Sequence, residues 1–264
     1  MTPQSPPAQS ATPAAATSRL VSAPLDPADR LIVALDLPSA TAALELAAEL
    51  QGLCRWFKVG MELFYAAGGS IVTGLRDRGF QVFLDLKLHD IPNTAAGAVR
   101  SVSSLDASLL TIHAAGGEKM MRAAVEAAAH PGSPTLLAVT VLTSMDAPGL
   151  SATGIPDPPE TQVLRLARLA RASGVPGLVC SAQEVAAVRA AVGAEVLTVV
   201  PGIRSAGAPG SDDQARIATA ADAIAAGASM LVVGRPITQA PDPAKAAAAL
   251  LAEIATAATR PAGS

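Results

Sequence analysis

The hydrophobic positions of the chain fall in short dense runs, separated by longer stretches rich in Ala, Leu, Glu and Arg. Short apolar runs bounded by turn residues predict strands buried on both faces. They lie at 31–36, 56–60, 81–87, 109–113, 135–141, 177–180, 196–200 and 230–234. Each precedes a stretch of good helix formers, at 40–50, 71–78, 94–103, 118–128, 160–172, 183–191, 214–226 and 244–258. These strand–helix units average roughly 29 residues over 30–258, which predicts a single-domain α/β fold, a closed (β/α)8 barrel or TIM barrel. The alternative is an open doubly wound sheet. Its glycine-rich fingerprint would follow the first strand, where the chain instead has Leu37-Pro38-Ser39-Ala40-Thr41.

The flanks differ in texture. Residues 1–29 are rich in Pro, Ala, Ser and Thr without an apolar period, and are expected to form a disordered tail. The barrel domain is expected over 30–258, starting in earnest at Leu31, with a short tail at 259–264. The Pro-rich loop 146–159 reads as a variable connection.

Composition narrows the classes. The chain has 264 residues, 50% hydrophobic and 16% charged, so it can bury a large core and is not a solvated polymer. A net charge of -3 argues against a basic nucleic-acid groove. Only 4 Phe, 1 Trp and 1 Tyr are available, too few for a base-stacking platform. The mean hydropathy of +0.40 raises the question of a membrane. The longest apolar stretch, between Arg216 and Arg235, is broken by Asp222, Gly227 and Gly234, so no span is expected. The N-terminal stretch has no early basic residue and no apolar segment, and does not read as a signal peptide. Cys54 and Cys180 stand far apart, outside any CxxC pair, so neither a zinc site nor a disulfide framework is expected; this fits a reducing cytoplasm. His89, His113 and His130 show no metal-ligand spacing.

In a barrel of this type the chemistry collects at the carboxyl ends of the strands. The first predicted strand ends in Asp36, the second carries Lys58, and the third ends Asp85-Leu86-Lys87, with His89 and Asp90 just beyond. Alternation along a strand turns Asp85 and Lys87 to the same side. Together with Asp36 and Lys58 they form an alternating row of charges at one rim. Such a row lets each buried charge stay ionised beside an opposite one, and it holds a lysine ready to give up a proton. The competing interpretation is a purely structural ion-pair cluster closing the rim.

Further along, strand four ends in His113, the loop after strand five carries Thr143, and strand seven leads to Arg204. Gly234 and Arg235 end strand eight, with Pro236 suited to the first turn of a following helix. Backbone N–H groups at such a turn, with an arginine beside them, suit a phosphate. The Gly/Ser/Pro-rich segment from Ile203 to Asp213 is long enough for a lid, with Gln214 at its far end. Other features have plainer readings. His89 and His113 suit hydrogen bonding at strand ends, Cys180 a small buried hydrophobe, Met120 and Met121 the core, and Asp212-Asp213 a solvated helix start.

The block Asp85-Leu86-Lys87-Leu88-His89-Asp90-Ile91-Pro92-Asn93-Thr94 resembles the signature of the orotidine 5′-phosphate decarboxylase family. ALD at 34–36, FKVG at 57–60, AVTVLTSM at 138–145, VCSAQE at 179–184, PGIR at 201–204 and GRPIT at 234–238 follow the family's order, so the resemblance covers about 31–258. It implies conversion of orotidine 5′-phosphate to UMP and CO2, the last step of pyrimidine nucleotide synthesis, with no cofactor. By that resemblance Lys87 is the proton donor, with Asp85, Lys58 and Asp90 completing the catalytic set. Asp36 and Lys58 meet the ribose, Thr143 the pyrimidine, and Gln214, Gly234 and Arg235 the phosphate, with Arg204 nearby. Asp90 and Thr94 reach a neighbour's site, which implies a homodimer. Two rival readings remain: a Mg2+-dependent sugar-phosphate decarboxylase or aldolase of the same barrel superfamily, and a non-catalytic barrel that binds UMP.

Overall fold

The computed structural model describes residues 26–204 and 218–259. Residues 1–25 of the tail expected over 1–29, the residues after 259, most of the expected lid and Gln214 lie outside the described residues.

Eight parallel strands close into a barrel in sequence order, β1 pairing with both β2 and β8. They are β1 (Leu31–Ala34), β2 (Trp56–Gly60), β3 (Gln81–Leu88), β4 (Leu109–His113), β5 (Thr135–Val139), β6 (Gly177–Val179), β7 (Leu197–Val200) and β8 (Met230–Val233). The barrel expected from the apolar runs is the barrel observed. Runs such as LIVA, TLLAV and MLVV are buried at every position because one face meets the barrel axis and the other meets helices.

That split makes two cores. Inward residues, including Ile32, Trp56, Phe83, Leu109, Leu137 and Met230, plug the barrel. Outward residues such as Val33, Phe57, Val82 and Leu110 pack under the helices. Strand alternation then determines what lies above the plug. Lys58 is two residues beyond Trp56, and Asp85 two beyond Phe83. The next inward layer is therefore charged.

Helix starts follow local chemistry. Ser39 accepts a hydrogen bond from Ala42 N at 3.2 Å to open Ala40–Glu49, and Asp242 accepts one from Lys245 N at 2.8 Å to open Pro243–Ala258. Three elements differ from expectation. A short helix Pro27–Arg30, capped by Asp26, precedes β1, so order begins before Leu31. Arg55 ties it down through Asp29 at 2.8 Å and Asp26 at 3.2 Å. A helix Met61–Ala67 follows β2 directly, ahead of Ser70–Arg76. The loop expected at 146–159 holds a helix, Ala147–Ala152, opened by Asp146 Oδ1 accepting from Gly149 N at 2.8 Å.

Candidate active site

A cavity of about 480 Å³ opens at the carboxyl ends of the strands. Asp36, Lys58, Asp85 and Lys87 form one wall. Thr143, Arg204, Gly234, Arg235, Thr238 and Gln239 also line it. Apart from Asp90, Thr94 and Gln214, every residue expected at the site therefore reaches one cavity.

The charged wall is a chain of contacts. Lys58 Nζ donates to Asp36 Oδ1 at 2.8 Å and lies 3.7 Å from Asp85 Oδ2. Lys87 Nζ donates to the same Asp85 oxygen at 2.8 Å. The Lys58 and Asp85 side chains are only 10% and 12% exposed, so their charges depend on one another rather than on water. Burial pushes the Asp85 carboxyl up. The two ammonium groups and hydrogen bonds from Lys87 and Thr111 outweigh that and leave it below the ordinary carboxylate range. Gly60 gives the row its room. A Cβ there would stand 2.8 Å from Asp36 Oδ1 and 3.0 Å from Lys58 Nζ.

Simple alternation does not bring Asp85 and Lys87 together. The pairing of β3 with β4 shifts between Leu84 and Leu88, a bulge in β3. Within it Lys87 has φ +50°, a left-handed backbone unusual for lysine. Such a conformation costs about 1–2 kcal/mol. Two unit charges 2.8 Å apart attract by about 6 kcal/mol at an effective dielectric near 20, before desolvation is subtracted. The ion pair thus offsets part of the strain, less the cost of desolvating the two charges.

Beside Lys87, the rings of His89 and His113 face each other with centroids 5.2 Å apart. His113 is held below the usual histidine range by burial first, then by His89 and Lys87, with Asp85 opposing. Cys180 lines the cavity and is buried, whereas Cys54 is far from it, its thiol pushed up to about 11 by burial. Among the described residues no group of three or more His, Cys, Asp or Glu is placed to hold a metal ion.

Asp90 and Thr94 are exposed and do not line this cavity. Asp90 Oδ1 accepts from Ile91 N at 2.7 Å, and Ile91 between them is 67% exposed. At the near end of the expected lid, Arg204 N donates to Ala218 O at 2.9 Å and Ile203 bridges Ala218, which lies beyond the lid's expected bounds. Thr111, Thr238 and Gln239 were not foreseen at the site. Thr238 ends the GRPIT block, but Thr111 gave no signal beyond being a polar residue in an apolar run.

A closed parallel barrel with titratable side chains gathered at its strand ends is the architecture of a small-molecule enzyme. Residues 29–250 match the model of the orotidine 5′-phosphate decarboxylase / HUMPS family, and the chain belongs to that family. It is 55% identical over 230 residues to orotidine 5′-phosphate decarboxylase of Anaeromyxobacter dehalogenans, covering 87% of this chain and 100% of that protein. It is 56% identical over 230 residues to the enzyme of the same name from Halorhodospira halophila, covering 86% of this chain and 97% of that protein. Among solved structures, orotidine 5′-phosphate decarboxylase from Lactobacillus acidophilus superposes with a TM-score of 0.76 at 38% identity, covering 86% of this chain and 99% of that one. No helix among the described residues is long and apolar enough to cross a membrane.

Proposed function

We propose that the chain decarboxylates orotidine 5′-phosphate to UMP and CO2, the closing step of UMP synthesis. The row Asp36–Lys58–Asp85–Lys87 carries this reading. Loss of CO2 from C6 of the pyrimidine leaves an electron pair in the ring plane, where the π-system cannot spread it. An ammonium held rigidly beside that carbon stabilises the pair electrostatically. In the proposed step the C6–carboxylate bond breaks, the pair stays on C6, and CO2 departs. Lys87 Nζ passes a proton to C6, and the neutral amine regains one from water.

The other residues divide the work. Asp85 stands where it disfavours the substrate carboxylate. Lys58 holds Asp85 and, with Asp36, meets the ribose. Thr143 meets the pyrimidine. Arg235, Gly234 and Gln214 take the phosphate, with Arg204 close by. The cavity of about 480 Å³ lies within the usual range for small-molecule sites. Binding energy from the distant phosphate supports the step at C6.

The exposure of Asp90, Ile91 and Thr94 supports a homodimer in which Asp90 and Thr94 enter the neighbour's cavity. Mixed dimers of Lys87→Ala and Asp90→Ala chains should then recover activity that neither variant has alone. Demonstrated heterodimers without recovery would exclude a shared site.

The Mg2+-dependent sugar-phosphate reading needs carboxylates free to bind a cation. Here Lys58 Nζ already lies between Asp36 and Asp85. Loss of orotidylate ultraviolet absorbance with purified, EDTA-treated protein tests the choice. Full turnover is expected. Activity that vanishes with EDTA would favour the metal-dependent reading, and UMP binding without turnover the sensor.

A further inference from the structure

The bulge in β3 has a partner on β4. Leu84 pairs with Leu110 and Leu88 with Ile112, so Asp85, Leu86 and Lys87 lie opposite Thr111 alone. Thr111 is fully buried and does not line the cavity. Its hydroxyl accepts a hydrogen bond from Lys87 N at 2.8 Å and donates one to Asp85 Oδ1 at 2.9 Å. A hydroxyl has a single proton to give. Giving it to the carboxylate leaves a lone pair for the Lys87 N–H, so both contacts coexist without competition. The two Asp85 oxygens are thereby separated in role: Oδ1 is held by Thr111 and Oδ2 by the lysines.

We propose that Thr111 is a positioning residue, whose one hydroxyl holds the backbone of Lys87 in its left-handed turn and the carboxylate of Asp85 in line with the Lys87 amine. The proposal rests on the decarboxylase reading for the reaction it serves, and the geometry stands apart from that reading. Thr111 is β-branched, which restricts its own rotation and makes it a stiff strut. Replacing the hydroxyl with a methyl group takes this partner from a part-buried N–H and from a buried carboxylate oxygen. The bulge then has no cross-strand hydrogen bond to set the lysine, and the row loses its alignment at the member that gives the proton.

The test uses the full chain and three variants. Thr111→Val is expected to lower kcat by roughly ten- to a hundredfold, the scale of a misplaced reacting group, with KM changed little because residue 111 does not face the cavity. Loss of the hydroxyl bond to Asp85 should also move the acid limb of the kcat profile to higher pH. Thr111→Ser, which keeps the hydroxyl, should stay within a few-fold of the parent. Thr111→Cys, with a weak donor of similar bulk, should fall between them and stands in for Thr111→Val if that chain does not fold. A valine or cysteine variant with parental kcat, or a serine variant as poor as valine, would overturn the proposal. If the parent chain itself fails to turn over orotidine 5′-phosphate, the decarboxylase reading falls and crystal structures of the variants decide. Lys87 should leave positive φ in the valine chain and keep it in the serine chain. An unchanged Lys87 in the valine chain would overturn the proposal whatever the substrate.

Discussion

Both ends of the barrel hold partly buried cations, but they satisfy them differently. At the amino end, Arg189 donates Nε to Gly227 O at 2.9 Å, Nη1 to Ala194 O and Val196 O, and Nη2 to Thr198 Oγ1 at 2.8 Å and Ser229 Oγ at 2.7 Å. Arg30 Nη1 donates to Ala228 O at 3.1 Å. These partners are neutral and lie in or just before β7 and β8, so the guanidinium groups brace their helices against the starts of those two strands. At the carboxyl end, lysines face carboxylates across a cavity, one of them on a strained backbone. A planar guanidinium stays protonated and suits bracing, whereas an ammonium on a flexible stem can lose its proton. The barrel has the first kind at its bracing end and the second at the end to which the proposed function assigns the chemistry.

The contrast can be broken at either end. Lys87→Ala removes the proposed proton donor and should lower kcat by about 10⁴-fold or more, combining lost electrostatic and acid catalysis. Calorimetry should still show UMP bound. Near-normal turnover would deny Lys87 its role. Arg189→Ala should act in the opposite manner. Leaving several carbonyls and hydroxyls unpaired should cost about 2–4 kcal/mol of stability, read by urea unfolding, while kcat in the folded fraction stays unchanged. A fall in kcat there would mean that the two ends are coupled.

The smallest effect concerns His113. Its folded pKa is depressed, so below the ordinary histidine pKa the unfolded chain binds the proton more readily. Its contribution to stability is therefore full above that ordinary value and is lost as pH falls toward the folded pKa. His113→Asn should flatten the decline of Tm between pH 7 and pH 5. An unaltered slope would show that the imidazole is not the group titrating.

Much of this was legible from the chain alone, for a physical reason. Strands buried on both faces leave dense apolar runs, and a charge at the end of such a run is costly enough to be noticed. Asp36, Lys58, Asp85 and Lys87 stood out on that account. The bulge did not, because a shift in register is decided by the pairing of β3 with β4, which neither segment announces alone. Thr111 was missed with it. The helix Pro27–Arg30 is a different kind of miss, since Asp26-Pro27 is an ordinary start signal obscured by the Pro-rich stretch around it. Asp146 with Pro148 marks the helix Ala147–Ala152 in the same way.

Trp56, the one tryptophan of the chain, lies in the barrel plug two residues before Lys58. Its indole N–H has no hydrogen-bond partner among the described residues. Light absorbed selectively by indole is therefore emitted from a single point beneath the ionic layer. An anionic ligand arriving above it should change the local field, so indole emission of the unlabelled protein is expected to report occupancy from the inside.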